Sequence, residues 1–393
     1  MTEPHPLTTH GARPRGESTT LFNVRLPGDD DPRRQAVRRW LQEHPRPSGP
    51  ELLDAGYMVP HWPRPWGIDA SGGHVLVIDE ELRRAGVTRP DFPLSRGYVG
   101  PLVLEVGTPA QIDRYLRPML TGEEVWCQLF SEPEAGSDLA SLTTRAERDG
   151  TDYVVNGTKI WTTHGHLSQY GLLLARTSAE GAKHQGISVF ICPMDHPAVT
   201  LHPIHNMEGE HKWNMVYFND LRLPAENLLG VENDGWPMAR RVLANERMQM
   251  SSLDGLAWGH GPSYTDLLRY ARAAYGGKPL PDDLRQRITD GYTQALSLHV
   301  MRVQALGRVG YRPETGVVPE VRRTLADDHG QRMLELWRDL HGAAGVVLAP
   351  GDDPAGLPFA ENYFYARALT IGGGTAQIQR NVLAERVLGM PRG

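Results

Sequence analysis

The sequence is poor in the residues that build covalent or metal-bound frameworks. Only two of its 393 residues are cysteines, Cys127 and Cys192. Neither a disulfide network nor a cysteine-based metal site is therefore indicated. No apolar run approaches the ~20 residues that a membrane-spanning helix needs. The N-terminus also lacks the charged-then-apolar pattern of a signal peptide, so we expect a soluble, cytoplasmic protein with no membrane partner.

Lysine is scarce as well, with four in the whole chain, and the formal net charge is −6. An acidic balance argues against nucleic acid as a partner, because nucleic-acid binding needs a basic surface. The length and the hydrophobic content of 40% are sufficient for two or three packed layers or domains.

The first third of the chain is predicted to be helical. Residues 1–20 are polar and rich in Pro, Thr and Gly, which predicts a flexible leader. Apolar residues at helical spacing then predict helices over 31–44, 78–86 and 108–119. Together these helices define an N-terminal helical domain over residues 21–120.

The middle of the chain changes to a period of two, which is typical of strands. We predict a small antiparallel β-domain over 121–230, whose strands include Tyr170–Thr177, Gly186–Cys192, Val199–Ile204 and Trp213–Leu221. A helical domain follows over 231–393, with helices predicted at 238–258, 263–274, 281–308, 317–341 and 375–388. The fold class is therefore α+β, in the order helical, β, helical.

A loop with unusual chemistry lies in this β-domain at Ser131–Asp138, which reads SEPEAGSD. Pro133 fixes φ, Gly136 permits conformations that a side chain forbids, and Ser137 and Asp138 favour side chain to backbone hydrogen bonds. Such a loop can present N–H groups and hydroxyls to a planar polar ligand. The alternative is an ordinary capped turn.

A β-hairpin is predicted directly after the loop. Tyr153–Val155 and Thr158–Trp161 are the strands, and Asn156-Gly157 is the favoured two-residue turn. The returning strand ends in Trp161-Thr162-Thr163-His164, which brings an aromatic ring and two hydroxyls to the end of the loop.

These two motifs, at this separation, closely resemble the acyl-CoA dehydrogenase family, whose pattern is S/T-E-P-x-A-G-S-D followed by N-G-x-K-x-W-[IT]-T. The resemblance extends over about residues 30–393. It implies the helical, β, helical fold of that family and FAD as cofactor. In the family, the Ser131 position bonds the flavin near N5 and Trp161 lies against the ring. The residues of this region that the resemblance assigns to FAD are Phe130, Ser131, Gly136, Ser137, Trp161 and Thr163.

Two further motifs resemble the family's cofactor contacts. Arg272-Ala273-Ala274-Tyr275-Gly276 is similar to R-x-x-F-G, in which the arginine binds the FAD pyrophosphate across a subunit interface. A guanidinium fork matches phosphate oxygens bidentately, although a surface arginine at a helix end is the alternative. The glycine run before T-x-Q-I-Q-R-N implies that Thr375 and Gln377 contact the FAD of a neighbouring subunit. Asp339 replaces the usual glutamine, while the Gly342 backbone remains free to approach the cofactor.

The catalytic base is not at its usual place in the family motif Y-E-G-T. Here the corresponding residues are Gly372–Thr375, and Gly373 has no side chain. On the helix 238–258, Glu246 falls in the middle of the apolar stripe that contains Val242. Isovaleryl-CoA dehydrogenases carry their base in an E-R pair on this helix, and Glu246-Arg247 matches that pair. We assign Glu246 as the base and Arg247 to substrate binding; the alternative is a structural ion pair.

The resemblance implies α,β-dehydrogenation of an acyl thioester, bound to CoA or to an acyl carrier protein. Glu246 removes the α-proton, FAD N5 accepts the β-hydride, and the Gly373 N–H polarises the thioester carbonyl. The expected partners are an electron-transferring flavoprotein and further subunits, in a homotetramer or a heteromer. The alternatives are a flavin-binding, non-catalytic subunit of a heteromeric dehydrogenase and an FAD oxidase or monooxygenase.

Overall fold

The computed structural model describes residues 19–21, 24–90, 94–207, 209–252, 264–309, 318–343 and 359–391. The chain divides into two compact units. The helical unit comprises Met1–Pro45, Ala70–Ala85 and Arg247–Gly393, and the sheet unit comprises Arg46–Asp69 and Gly86–Glu246. The three-domain division that the sequence suggests, with boundaries near 120 and 230, stays a prediction. Residues 1–18 of the predicted leader lie outside the described residues.

The helices are, in chain order, α1 Pro32–Glu43, α2 Gly49–Asp54, α3 Gly72–Arg84, α4 Gly100–Val106, α5 Pro109–Thr121, α6 Gly235–Ser252, α7 Tyr264–Ala274, α8 Asp282–Val309, α9 Val318–His341, α10 Phe359–Leu369 and α11 Ala376–Val382. Short π-helical segments occur at Leu94–Val99, before α4, and at Leu383–Val387, after α11. No helix of the described residues is long and apolar enough to cross a membrane.

Local chemistry explains where the predicted helices begin. The Asp31 carboxylate accepts from Arg33 N at the start of α1, 2.9 Å away. At α5, Thr108 and Gln111 form a reciprocal capping box, and Pro109 occupies the first turn. The predicted helices at 31–44 and 108–119 are thereby confirmed.

The predictions at 263–274, 281–308 and 317–341 agree with α7, α8 and α9 to within one residue at each end. The other helix predictions differ in detail. Helix α3 begins six residues before the predicted 78, and α6 begins at Gly235 and ends at Ser252. Residues 253–258 of that prediction lie outside the described residues. Helix α10, which is rich in aromatic residues, was not predicted. In the helical unit, α7, α8, α9 and α10 share one core, and its buried members include Leu267, Ala271, Ile288, Leu334, Trp337 and Ala366.

The strands are β1 Thr19–Leu21, β2 Val24–Leu26, β3 Trp126–Leu129, β4 Arg145–Asp149, β5 Asp152–Thr163, β6 Tyr170–Arg176, β7 Ile187–Pro193, β8 Val199–His205, β9 His211–Pro224 and β10 Leu228–Leu229. Strands β1 and β2 form a small antiparallel pair. The others form one sheet in the order β10-β7-β6-β4-β5-β9-β8, with β3 beside β6.

The predicted α+β class is confirmed, but the sheet is mixed rather than antiparallel. Strands β3 and β4 both pair parallel with β6. Strand β3 pairs with the first part of β6 and β4 begins beside its last residue, Arg176, so the loop between them carries the chain onward along β6.

The predicted hairpin turn at Asn156-Gly157 is wrong. Strand β5 runs through both residues and pairs antiparallel with β9, with a register shift between Val155 and Gly157. Gly157 has φ 152°, and a Cβ there would lie 2.7 Å from Thr144 Cα. The Asn156 side chain exchanges hydrogen bonds with Asp220 on β9, at 3.0 and 2.9 Å. The β-bulge lies opposite this pair, on β9, where Asn219 and Asp220 together face Asn156 and Asp220 has φ 53°. The actual hairpin joins β4 to β5 at Gly150.

The close approach of Thr144 makes Gly157→Ala strongly destabilising. The added methyl group meets the Thr144 backbone and leaves no room for a small adjustment, so we expect a loss of about 2–4 kcal/mol in the free energy of unfolding, from strain plus overpacking. Denaturant titration measures this loss. Gly150→Ala is the matched control, because φ there is 63° and no atom lies within 4 Å of the added methyl. It should cost only ~1–2 kcal/mol, and equal losses for the two variants would contradict the close contact with Thr144.

Candidate active site

The Ser131–Asp138 loop is closed on itself and fastened to β5. Glu132 and Ala135 exchange backbone hydrogen bonds of 3.1 and 3.0 Å. Ile160 N donates to Ser131 O at 2.9 Å. The two motifs therefore meet, but Trp161 lies next to the start of the loop rather than at its end, where the sequence predicted it.

A buried ion pair between Glu132 and Lys159 holds this arrangement. Lys159 Nζ lies 2.8 Å from Glu132 Oε1, and the two side chains are 0% and 4% exposed. Nζ also donates to Phe130 O at 3.0 Å. Glu132 in turn accepts from the backbone N–H groups of Thr143 and Thr144, at 2.6 and 2.9 Å. One carboxylate and one amine thus connect β3, the loop, β5 and the start of β4.

Both members of the pair are charged at neutral pH. Burial would raise the pKa of the Glu132 carboxyl, but Lys159 and the hydrogen bonds from Thr144 and Thr143 lower it to about 2. Burial lowers the pKa of the Lys159 amine to about 8, and Glu132 opposes that shift. Because the Glu132 pKa lies below its ordinary value of 4.5, its contribution to stability is complete above that pH and is lost as the pH falls toward 2.

Trp161 is an exposed tryptophan on a strained backbone. Its φ is 61°, in the left-handed region that bulky residues rarely adopt. Its side chain is 56% exposed and meets Trp213 edge-on, with ring centroids 6.1 Å apart. A large apolar ring that a strained backbone holds in an exposed position indicates a ligand-binding surface rather than a core position.

The residues around Trp161 differ in what they can offer. Thr162 points into the sheet unit and is buried, and within the described residues its hydroxyl has no hydrogen-bond partner. Thr163, on the opposite face, is half-buried. Only one of the two predicted hydroxyls is therefore accessible, because successive side chains of a strand point to opposite faces.

The far end of the loop is open. Gly136 and Ser137 are exposed, and no described atom lies within 4 Å of the place where a Gly136 side chain would begin. Asp138 is held by Lys183 at 2.7 Å and by the Ser141 hydroxyl. Packing within the chain does not require glycine at 136, so the open space suits a ligand that approaches the backbone closely. The Phe130 side chain, just before the loop, is buried.

In the helical unit, Arg272 and Tyr275 lie at the C-terminal end of α7 and are exposed. Gly276 and Gly277 follow with positive φ and end the helix. Asp339, near the end of α9, pairs with Arg287 of α8 at 2.7 Å and with Arg338 at 2.9 Å. Asp339, which stands where the family usually has glutamine, is thus engaged in ion pairs. Gly342 follows it, is exposed and has φ 56°.

The glycine turn, Ile371–Gly374, connects α10 to α11. Gly373 and Gly374 have φ of 68° and 94°. Thr375 caps α11 by accepting from Ile378 N at 3.2 Å, and Gln377 is exposed in its first turn. The predicted helix 375–388 continues as α-helix only to Val382. A helix N-terminus preceded by glycines offers backbone N–H groups to an anion.

Sequence reasoning missed the residues beneath this turn. Arg323 Nη2 donates to Gly372 O at 2.8 Å, and its Nε lies 2.8 Å from Asp327 Oδ2. Burial raises the pKa of Asp327 to about 6, and Arg323 opposes the shift. An Arg and an Asp four residues apart on a helix normally indicate a surface ion pair, so the sequence carried no signal for a buried one.

Glu246 lies on the buried face of α6. Met238, Ala239 and Val242 are buried and precede it by eight, seven and four residues, whereas Arg241 is exposed. The Glu246 carboxylate is partly covered, and its Oε2 is buried. The predicted stripe is therefore present up to this residue. The side chains of Arg247 and Met250 lie outside the described ones.

Comparison with known proteins identifies the family. The model of the acyl-CoA dehydrogenase middle domain matches residues 127–221, and that of the C-terminal domain matches residues 233–388. The chain belongs to the acyl-CoA dehydrogenase family. It is 35% identical to acyl-CoA dehydrogenase IpdE1 of Mycobacterium tuberculosis, over 96% of this chain and 94% of that protein.

Two further similar proteins differ in how much of their own length the chain covers. It is 38% identical to acyl-CoA dehydrogenase FadE34 of M. tuberculosis, over 87% of this chain but only 46% of the length of that relative. Among solved structures, a chain of the ChsE4-ChsE5 complex from M. tuberculosis superposes with a TM-score of 0.74, at 27% identity, and covers 92% of this chain and 98% of that one.

Members of the acyl-CoA dehydrogenase family are FAD-dependent flavoproteins, so the cofactor is FAD. The described residues fit it. An isoalloxazine is flat and polar at its edge, and Trp161 offers an exposed ring beside the half-buried Ser131 and Thr163. The open backbone at Gly136 leaves room for a close approach.

Removing the Lys159 charge tests the buried ion pair. Lys159→Met leaves Glu132 buried without its cation, so we expect a loss of about 3–5 kcal/mol in the free energy of unfolding. The loss should shrink as the pH falls, because without Lys159 the Glu132 pKa is no longer held below 4.5 and protonation removes the unpaired buried charge. Thermal unfolding at several pH values measures both effects. Lys183→Met is the matched control, since its ion pair with Asp138 is exposed; equal destabilisation by the two substitutions would contradict the structural role of Lys159.

Proposed function

We propose that the protein catalyses the α,β-dehydrogenation of an acyl-CoA thioester with Glu246 as the base that removes the α-proton. The observation that carries this proposal is the place of Glu246 on the buried face of α6, with Oε2 out of solvent. The glycine turn supplies no carboxylate, because Gly373 stands where the family usually has its glutamate. A base removes a proton most effectively when it is held in a water-poor environment.

FAD, when bound, supplies the hydride acceptor, at N5 of its ring. The chain's own residues do the rest. Glu246 accepts the α-proton at its carboxylate, and the Gly373 N–H donates to the thioester carbonyl oxygen and stabilises the negative charge that develops there. Trp161 and Ser131 orient the ring, and the ion pair beneath the loop keeps them in place.

The other predicted contacts complete the proposal. Arg247 binds the substrate. The residues proposed to contact FAD from the helical unit, some of them across a subunit interface, are Arg272, Tyr275, Gly342, Thr375 and Gln377. The proposed assembly is therefore an oligomer, a homotetramer by family expectation, and the proposed electron acceptor is an electron-transferring flavoprotein. A base on α6 is compatible with branched or bulky acyl chains.

A second candidate is a flavin-binding, non-catalytic subunit of a heteromeric dehydrogenase. It is favoured by the two departures from the family pattern, at Gly373 and Asp339, and by the similarity to one chain of a complex of two named proteins. The inward-facing Glu246 opposes it. The two candidates make opposite statements about Glu246, which a single substitution separates.

Glu246→Gln keeps the size and hydrogen-bonding capacity of the side chain and removes the proton acceptor. Flavin bleaching by an acyl-CoA should slow by about 10²–10⁴-fold while FAD stays bound, because a positioned base contributes that range. Anaerobic stopped-flow absorbance at the flavin band measures the rate. Glu105→Gln is the matched control, since Glu105 pairs with Arg241 at an exposed position. Near-normal bleaching by the Glu246 variant would mean that another residue, or another chain, holds the base.

A further inference from the structure

One peptide group of the glycine turn is held in an unusual way. The carbonyl of Gly372 and the N–H of Gly373 belong to the same amide. Arg323 Nη2 donates to Gly372 O at 2.8 Å, and the Arg323 side chain is 0% exposed. A charged donor on a carbonyl oxygen polarises the amide, and a polarised amide has a more strongly donating N–H on its other side.

The guanidinium is fixed by a second residue of α9. Arg323 Nε lies 3.0 and 2.8 Å from the two carboxylate oxygens of Asp327, whose side chain is 3% exposed. This contact fixes the plane of the guanidinium, so that Nη2 is directed at the glycine turn. The Arg323 guanidinium therefore lies against the Gly372 carbonyl away from water. Its charge acts on that carbonyl more strongly there than it would in water, which screens charge.

Neutral groups already close the glycine turn. Ala376 N donates to Thr370 O at 2.8 Å, and Gly372 N donates to Ala368 O at 2.8 Å. Gln379, which is buried, lies 3.4 Å from Gly373 O. Burying an arginine and an aspartate carries a penalty of several kcal/mol per ion before their attraction is counted, so closure alone does not explain a charged donor at Gly372.

We propose that Arg323 is a positioning residue that strengthens the Gly373 N–H as a hydrogen-bond donor to the substrate's thioester carbonyl. This inference rests on the proposed function, in which that N–H stabilises the charge that develops on the carbonyl oxygen. The arginine touches neither substrate nor cofactor and acts through the Gly372–Gly373 peptide. The charge of Arg323 adds electrostatic stabilisation of the substrate's carbonyl oxygen that a neutral glycine turn would not provide.

The direct readout is the polarisation of the bound carbonyl. The holoenzyme carrying Glu246→Gln, in which flavin reduction is slow, is saturated with an acyl-CoA labelled with ¹³C at its carbonyl. Isotope-edited infrared difference spectra then give the lowering of the C=O stretching frequency on binding. A purely structural role for Arg323 changes stability or affinity, but not the frequency shift of the substrate that is bound.

In that background, Arg323→Met should reduce the frequency shift to half or less. With Glu246 restored, the same variant should reduce the flavin more slowly by about tenfold, which is less than the ~10²–10³-fold lost when a transition-state donor is removed outright. KM should change less than kcat. The double variant Arg323→Met/Asp327→Asn removes the charge of both partners, so it leaves no unpaired buried charge and keeps the test available if the single variant folds poorly.

Arg322→Met is the matched control, because the neighbouring arginine is also buried and donates through Nε to Leu298 O on α8, 3.1 Å away. It should keep the full frequency shift. A full shift in the double variant, or an equal loss in Arg322→Met, overturns the role of Arg323 while leaving the proposed function intact. If the Glu246→Gln parent itself shows no shift, or bleaches its flavin at a near-normal rate, the proposed function fails, and this inference fails with it.

Discussion

The buried contact between Lys159 and Glu132 is the interaction on which the arrangement of the Ser131–Asp138 loop, the start of β4 and β5 depends. It places two charges out of water, which is favourable only because the remaining hydrogen-bonding capacity is used by Phe130 O and by the N–H groups of residues 143 and 144. Besides the backbone hydrogen bond from Ile160 N to Ser131 O, it is the contact that joins the loop to β5. The strained, exposed Trp161 follows Lys159 by two residues, so the contact that fixes Lys159 also helps to fix the orientation of Trp161.

The helical unit uses the same principle at the glycine turn. A buried charged side chain, Arg323, is satisfied by one carboxylate and one backbone carbonyl, and the backbone it holds is the part assigned to chemistry. In both places a segment without regular secondary structure, the Ser131–Asp138 loop or the glycine turn, is held by a buried charged side chain. Glu246, on the buried face of α6, is the carboxylate that we propose in place of the one the glycine turn does not supply.

The family and the order of the secondary structure could be predicted, because they are local: the Thr108 cap, the strand alternation and the SEPEAGSD motif are visible in short windows. The failures came from long-range pairing. Asn156-Gly157 has strong turn propensity, but pairing with β9 keeps it inside a strand, and Gly157 is required by contact with Thr144. The pairs Lys159–Glu132 and Arg323–Asp327 could not be predicted, since nothing in the sequence shows that these charges are buried.

The most direct measurement is the fate of an acyl-CoA mixed anaerobically with the wild-type holoenzyme, followed by mass spectrometry of the thioester and then by admission of air. For α,β-dehydrogenation, one flavin is bleached per thioester and the product is lighter by two hydrogens. The reduced flavin should be reoxidised by an electron-transferring flavoprotein much faster than by oxygen. An unbleached flavin across short, branched and bulky chains, or a product that has gained oxygen, would contradict the proposed reaction.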